Sequence, residues 1–208
     1  MSQPSRRHQN DILSNGNLDL SLIAIGSNVT SLLGNPEDLV LGAVTSLPSD
    51  SIRLIAISSL YTTPSFPAGS GPDFVNAAAV IESDLSAHEL LLRLHEVEHN
   101  FGRSRDVRWG ARTIDMDLLA CGSSVFPDVE TVRKWQDMPL EEQMTVAPSE
   151  LILPHPRMQD RGFVLVPLAE IAPDWEHPIL HRSVSQMLDA LPDREKAPIR
   201  RLSSANLG

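Results

Sequence analysis

Two aspartates interrupt an apolar run in the segment RTIDMDLLA, residues 112–120. The side chains of a β-strand alternate between its two faces, so Asp115 and Asp117 are predicted to share one face. Ile114 and Met116 would then point to the other face, into a core. Neighbouring carboxylates repel each other and lose solvation in a low-dielectric interior. A cation between them would relieve both penalties, so the segment predicts a buried strand with a metal-binding face.

Arginines are concentrated just before this strand. Arg103, Arg105, Arg108 and Arg112 fall within ten residues, although the chain has 15 arginines and 2 lysines in all and a net charge of −10. The acidic balance argues against general binding of nucleic acid or of anionic membranes. A local arginine cluster in an acidic protein favours a phosphate or carboxylate site, because the planar guanidinium binds such groups bidentately. The alternative is a basic, solvated loop.

The order of the predicted elements indicates the fold class. Hydrophobic periodicity and helix caps predict strands and helices in the order β-α-β-β-α-β, which is the ferredoxin-like arrangement of an α+β fold. We expect an additional strand and helices toward the C-terminus. The six core elements are LDLSLIAIG (18–26), NPEDLVLGAVTSL (35–47), SIRLIAISSLYTT (51–63), FVNAAAVIESD (74–84), SAHELLLRLHEVEHNFG (86–102) and the aspartate strand.

Composition sets the domain organisation. The 208 residues are most simply one domain, and no apolar run approaches the ~18 residues that a membrane span needs. We predict a disordered tail at 1–17, a single catalytic domain at 18–191 and a loose tail at 192–208. The polar stretch 127–150 is predicted to be a surface insertion with one short helix. Replacement of residues 130–147 within it by a short Gly/Ser linker should leave catalysis largely intact.

The single cysteine bears on the cellular compartment. Cys121 excludes an internal disulfide bond and fits a reducing environment, so we predict a cytoplasmic protein. Since Cys121 follows a strand and has no obvious partner, it is interpreted as a small buried hydrophobe. A monomer is expected.

A second metal pattern lies on the second predicted helix. HEVEH, residues 95–99, matches the zinc-protease motif H-E-x-x-H. In the longer form of that motif Arg105 occupies the position of the third ligand, and arginine does not bind zinc. The helical stripe of apolar residues also leaves both histidines on its flank. Exposed helical histidines are the favoured interpretation.

Four stretches together resemble the family of 6-hydroxymethyl-7,8-dihydropterin pyrophosphokinases. They are AIGSN (24–28), YTTPSF…PDFVNAA (61–78), GRSRDVRWGARTIDMDLL (102–119) and LPHPRMQDRGFVLVPLAEIAP (153–173). The resemblance covers roughly residues 20 to 175. It implies transfer of a diphosphate from ATP to the hydroxymethyl group of 6-hydroxymethyl-7,8-dihydropterin in folate biosynthesis, which leaves AMP.

The resemblance also implies the residues of the site. Asp115 and Asp117 would hold two Mg²⁺ ions on the β- and γ-phosphates of ATP, and both aspartates, Arg103 and Arg112 would be catalytic. The implied ATP-binding residues are Arg103, Arg105, Arg112, His155 and Arg161. The implied pterin pocket consists of Thr63, Pro64, Phe66, Phe74, Asn76, Trp109 and Phe163, whose aromatic faces and amide suit a flat, polar-edged ring.

Two positions and one loop length depart from the family pattern. Ala111 stands where proline is usual, and Phe74 replaces a frequent tyrosine. The arginine loop (103–111) is about one residue shorter than in some relatives, which leaves the role of Arg108 open. Two other functions were weighed. A nucleotidyltransferase also pairs a Gly-Ser turn with D-x-D, but Gly26-Ser27 precedes Asp115 by almost ninety residues. An RNA-binding module would need a basic sheet face with aromatic residues, which is not found.

Overall fold

The computed structural model describes residues 19–65, 71–102, 113–139, 142 and 145–203. The tail predicted at 1–17 lies outside these ranges. No helix within them has the length and hydropathy to span a bilayer. The strands are β1 (Asp19–Ser27), β2 (Ile52–Ile57), β3 (Tyr61–Thr63), β4 (Phe74–Ser83), β5 (Asp115–Cys121) and β6 (Arg200–Arg201). The helices are α1 (Pro36–Thr45), α2 (Ala87–Asn100), α3 (Val129–Asp137), α4 (Gly162–Ile171), α5 (Val184–Ala190) and α6 (Asp193–Lys196).

The strands form one antiparallel sheet in the order β5-β1-β4-β3-β6, and β2 also pairs with β4. The ferredoxin-like α+β prediction is confirmed. The strand predicted at 51–63 is two strands, because the chain bulges after Leu54 and again leaves the ladder at Ser58. There the Ser58 hydroxyl accepts a hydrogen bond from the Ala78 amide at 2.9 Å, while the Ser58 amide donates to the Ala78 carbonyl.

Two helices begin where the sequence predicts. The Asn35 side chain accepts from the Asp38 amide at 3.1 Å, and the Asp38 carboxylate accepts from the Asn35 amide in return. Ser86 and Glu89 form the same reciprocal pair at the start of α2. Each such cap contributes ~1 kcal/mol to helix stability. Together they fix α1 and α2 across one face of the sheet.

The sheet separates two cores. The core on the α1 and α2 side contains Ile114, Met116 and Leu118, each at most 4% exposed, which confirms the predicted alternation of β5. The core on the other side joins the sheet to α4 and α5, with Leu119 at its centre. Cys121 is buried, which agrees with its interpretation as a small hydrophobe.

The C-terminal segment differs from its prediction. Residues 192–208 were expected to be loose, yet this segment contains helix α6 (Asp193–Lys196) and strand β6 (Arg200–Arg201). The physical reason is backbone pairing: Arg201 and Arg200 of β6 pair with Tyr61 and Thr62 of β3. Helix α6 also packs against Gly162 so closely that the Glu195 carbonyl leaves no space there for a Cβ atom.

The stretch 127–150 is more than a surface insertion. Its predicted short helix is α3, which begins at an Asp128 cap. Val132 of α3 is fully buried in a small third core with Ile152 and Ile179. At the end of this helix the Met138 carbonyl accepts a hydrogen bond from the Arg157 guanidinium at 2.8 Å. The stretch therefore has its own packing against the domain.

His177 gives this third core a pH dependence. The ring is fully buried and burial lowers its pKa from 6.5 to about 4. An unfolded histidine binds a proton below pH 6.5 while the buried one stays neutral. The stability that His177 contributes is therefore complete above pH 6.5 and is lost as the pH falls toward 4.

Because the pKa of His177 is lower in the folded than in the unfolded state, we expect the unfolding free energy to fall by ~1–2 kcal/mol between pH 7 and pH 5. Urea unfolding at both pH values measures this change. The unfolding free energy of the wild-type protein should fall between pH 7 and pH 5, and that of His177→Asn should fall by ~1–2 kcal/mol less. The matched control is His99→Asn, since His99 is exposed on α2. An equal decline in His177→Asn and wild type would contradict the assignment.

Candidate active site

Several of the predicted site residues lie at one end of the neighbouring strands β4, β1 and β5. Gly26 of β1 lies opposite Asn76 of β4 on one side and opposite Asp115 of β5 on the other. Cross-strand partners project from the same face of a sheet, so the Asn76 amide and the Asp115 carboxylate lie on one face. Two strand spacings separate their backbones by about 10 Å. Because Gly26 carries no side chain, the Asn76 side chain can lie over it.

The Asn76 amide is held in one orientation. Its Nδ2 donates to Thr63 Oγ1 at 2.7 Å, and both residues are buried. Its Oδ1 lies only 2.6 Å from the position that a Cβ on Gly26 would take, so only glycine fits there. Phe74 begins the same strand and pairs with Thr63, while Pro64 follows β3 directly and is exposed. Four of the predicted pterin residues therefore lie together at this end of β3 and β4.

The Thr63 bond can be tested separately from the rest of the pocket. Thr63→Val keeps the shape of the side chain but leaves the buried Asn76 donor without an acceptor, which costs ~1–3 kcal/mol. We expect the KM for the pterin to rise about tenfold or more while the KM for ATP stays unchanged. Thr62→Val on the same strand is the control, because Thr62 contacts the Arg200 carbonyl instead. A wild-type pterin KM in Thr63→Val would contradict the orienting role.

The carboxylate pair has the predicted geometry. Asp115 and Asp117 are half-buried and lie on the face of β5 opposite to Met116, with Asp117 beside the small side chain of Ala24. Their oxygens are the hard ligands that Mg²⁺ prefers, and Mg²⁺ usually takes one or two carboxylates together with substrate phosphates and water. A pair of carboxylates fits this pattern, and no group of three or more His, Cys, Asp or Glu side chains gathers within the ranges described.

His155 lies next to this pair as a neutral imidazole. The His155 amide donates to the Leu119 carbonyl at 2.8 Å, which attaches the loop to β5. Burial, together with the charges of Arg161 and Arg157, lowers the pKa of His155 from 6.5 to about 4 against the opposing charge of Asp117. Nδ1 accepts from the Arg157 amide at 3.1 Å, so Nε2 carries the proton and can donate.

Arg161 and Phe163 connect the nucleotide and pterin residues. Arg161 caps α4, and its guanidinium carbon lies 5.5 Å from the centroid of the Phe163 ring, which is a cation–π contact. Burial lowers the pKa of Arg161, and the charge of Asp117 opposes that shift. A buried guanidinium with a carboxylate nearby is a strong site for a phosphate group, because desolvation strengthens the attraction.

One cation near the site was not predicted. Arg157 belongs to the quoted PHPR stretch, but only the structure shows that its charge acts on both His155 and Arg161. It is held by the Met138 carbonyl and by Asp160 at 3.3 Å. Its position depends on the stretch 127–150, and no spacing in the sequence connects these two regions.

Several predicted residues lie outside the described ranges. Their roles remain predictions. They are Phe66, Arg103, Arg105, Arg108, Trp109, Ala111 and Arg112.

The HEVEH motif does not gather a metal site in the part of the chain that the structure describes. Glu96 and His99 are exposed on α2 and, with His95, line a shallow outer groove. The interpretation as surface histidines agrees with this geometry. Glu98 differs from Glu96, His95 and His99, since it is only 1% exposed.

Paired strand carboxylates beside an arginine are typical of enzymes that handle phosphorylated substrates. The family model described as 7,8-dihydro-6-hydroxymethylpterin-pyrophosphokinase (HPPK) matches residues 22–173. The chain belongs to this family, whose members are ATP-dependent diphosphokinases of folate synthesis.

Curated relatives agree over most of the chain. The 2-amino-4-hydroxy-6-hydroxymethyldihydropteridine pyrophosphokinase of Synechocystis sp. is 35% identical over 81% of this chain and 74% of its own length. The enzyme of the same name from Pseudomonas aeruginosa is 35% identical over 82% of this chain and 90% of its own length. The nucleotidyltransferase alternative is not favoured by these relatives.

Solved structures share the fold. A crystal structure of Plasmodium falciparum HPPK-DHPS with pteroate matches with a TM-score of 0.63 and 14% identity, over 93% of this chain and 48% of that chain. A structure of HPPK-DHPS in complex with substrates matches with a TM-score of 0.59 and 12% identity, over 84% of this chain and 43% of that chain. The chain thus spans about half the length of these solved proteins.

Proposed function

We propose that this end of the sheet is where the chain performs the family reaction, with the residues that the resemblance implies. The hydroxymethyl oxygen of 6-hydroxymethyl-7,8-dihydropterin attacks the β-phosphorus of ATP, the bond between that phosphorus and the α–β bridging oxygen breaks, and the hydroxyl proton is released. The products are AMP and the pterin diphosphate. The observation that supports this location is Gly26, which has the amide of Asn76 on one side and the carboxylate of Asp115 on the other.

Asp115 and Asp117 would hold two Mg²⁺ ions, which neutralise the charge that develops on the transferred phosphates. Arg161 binds a phosphate from its buried position, and neutral His155 donates from Nε2 to a nucleotide oxygen. Neutrality suits His155, because a protonated ring between Arg157 and Arg161 would be repelled by both. Arg103, Arg105 and Arg112 are proposed to complete the nucleotide site.

The pterin pocket uses a different kind of contact. Phe74 and Phe163 offer ring faces to a flat heterocycle, and the remaining groups of Asn76 can pair with its polar edge. One Nδ2 hydrogen already binds Thr63, so the other hydrogen and Oδ1 remain for the ligand. A donor and an acceptor side by side match a ring that presents both at its edge. Phe66, Pro64 and Trp109 are proposed to close the pocket.

The test is product analysis with protein, MgATP and 6-hydroxymethyl-7,8-dihydropterin. We expect AMP and the pterin diphosphate in equal amounts, with two new phosphorus resonances that couple to each other. Omission of the pterin should abolish AMP formation. Release of inorganic pyrophosphate together with a nucleotidylated pterin would overturn the proposal and support nucleotidyl transfer instead.

A monomeric, cytoplasmic protein remains our proposal for the cellular form. The acidic net charge of −10 agrees with a protein that binds neither nucleic acid nor anionic membranes. Sedimentation equilibrium would show a single species near 22.8 kDa if the chain is a monomer.

A further inference from the structure

Glu98 is a buried carboxylate that the reaction scheme above does not use. It belongs to the HEVEH stretch but is only 1% exposed, next to Leu94 and Val97 on the core side of α2. Glutamate is rarely buried this completely unless its charge is paired or hydrogen-bonded, because burial of an unpaired charge is costly. We therefore expect the buried Glu98 carboxylate to make a specific hydrogen bond.

The Glu98 carboxylate contacts the backbone of β5 between Asp115 and Asp117. Glu98 Oε1 accepts a hydrogen bond from the Met116 amide at 2.8 Å, and Met116 lies between Asp115 and Asp117. Strand β5 is at the edge of the sheet and pairs only with β1 among the strands described, so its outer amides lack a strand partner. A carboxylate acceptor makes such a bond shorter and about twice as strong as a neutral one.

The bond constrains both aspartates. The Met116 N–H belongs to the peptide unit that begins at the Cα of Asp115, so holding it fixes the direction in which that carboxylate leaves the strand. The same peptide sets the rotation of β5 and with it the direction of Asp117. Replacement of a residue that orients a metal ligand without binding the metal itself typically weakens metal binding by about 10- to 100-fold.

We propose that Glu98 is a positioning residue that holds Asp115 and Asp117 in the spacing that their cations require. This inference rests on the proposed metal-binding role of the two aspartates. Glu98 acts through the Met116 backbone from the opposite face of the sheet, so it contacts neither substrate.

The experiment compares Glu98→Ala, Glu98→Asp and Glu98→Gln with Glu96→Ala. Aspartate is too short to reach the Met116 amide, while glutamine keeps the acceptor oxygen. Glu96 is the matched control, because it lies on the same helix, exposed, in an ion pair with Arg93. Two quantities are measured: hydrogen exchange of the Met116 amide without metal, and the Kd for Mn²⁺ in the presence of α,β-methylene-ATP.

In Glu98→Ala and Glu98→Asp we expect exchange at Met116 to be about tenfold faster or more, and the Mn²⁺ Kd to be about 10- to 100-fold higher. Glu98→Gln should restore most of both, and Glu96→Ala should match the wild type. If Glu98→Ala does not fold, Glu98→Asp decides. A folded Glu98→Asp with wild-type Mn²⁺ affinity would overturn the inference.

Asp117→Asn in the same titration separates this inference from the proposed function. Weak Mn²⁺ binding by Asp117→Asn with normal binding by Glu98→Asp would refute only the role of Glu98. Equal binding by wild type and Asp117→Asn would refute the metal assignment itself.

Discussion

Asp117→Ala should lower kcat about a thousandfold while the protein stays folded. The carboxylate is expected to hold a cation whose charge is needed most in the transition state, and loss of that stabilisation costs ~4 kcal/mol. Asp115→Ala should behave in the same way. Removal of either charge relieves the repulsion between the two aspartates, so the unfolding temperature of the ligand-free protein should hold or rise.

Three controls make this result specific. Asp117→Asn keeps the shape of the side chain and should lose activity to a similar extent. Asp189→Ala removes an exposed carboxylate from α5 and should leave kcat unchanged. Asp117 also raises the pKa of His155, so NMR titration should show that this pKa falls further in Asp117→Asn. Near-normal turnover in Asp117→Ala would refute the metal assignment.

Replacement of residues 130–147 with a short Gly/Ser linker should have the second largest effect. From the sequence this change was expected to spare catalysis, but the structure leads to the opposite expectation. The linker removes Val132 from the third core and uncovers Ile152 and Ile179. It also removes the Met138 carbonyl that holds Arg157. We expect a loss of several kcal/mol of stability and a rise in the KM for ATP.

Point variants separate packing from loss of the whole stretch. Val132→Ala should lower the unfolding free energy by ~2 kcal/mol, because Val132 is fully buried. Val129→Ala on the same helix should change it little, since Val129 is 45% exposed. Urea unfolding and the KM for each substrate are the measurements. A linker variant with wild-type stability and KM would restore the original interpretation of a dispensable insertion.

The order of the elements and the position of the two aspartates could be predicted from local sequence patterns. The alternation through residues 112–120 depends only on strand geometry, and the helix caps at Asn35 and Ser86 depend on residues at most three apart. Both could therefore be predicted, and both are confirmed. The resemblance added Asn76, His155 and Arg161 from separate stretches. The structure brings Asn76 and Asp115 to either side of Gly26 and places His155 and Arg161 within the electrostatic reach of Asp117.

The amino-acid sequence by itself determined the α+β order of elements, the face that carries the aspartates and the family of the enzyme, because these depend on periodicity, caps and contiguous motifs. Only the tertiary structure decided that α3 supports Arg157, that β6 completes the sheet and that Glu98 holds the Met116 amide. Each of these contacts joins residues from separate elements. The cost of burying a carboxylate or of pairing a short strand is offset only by the partner that the fold supplies, so no local pattern reveals it.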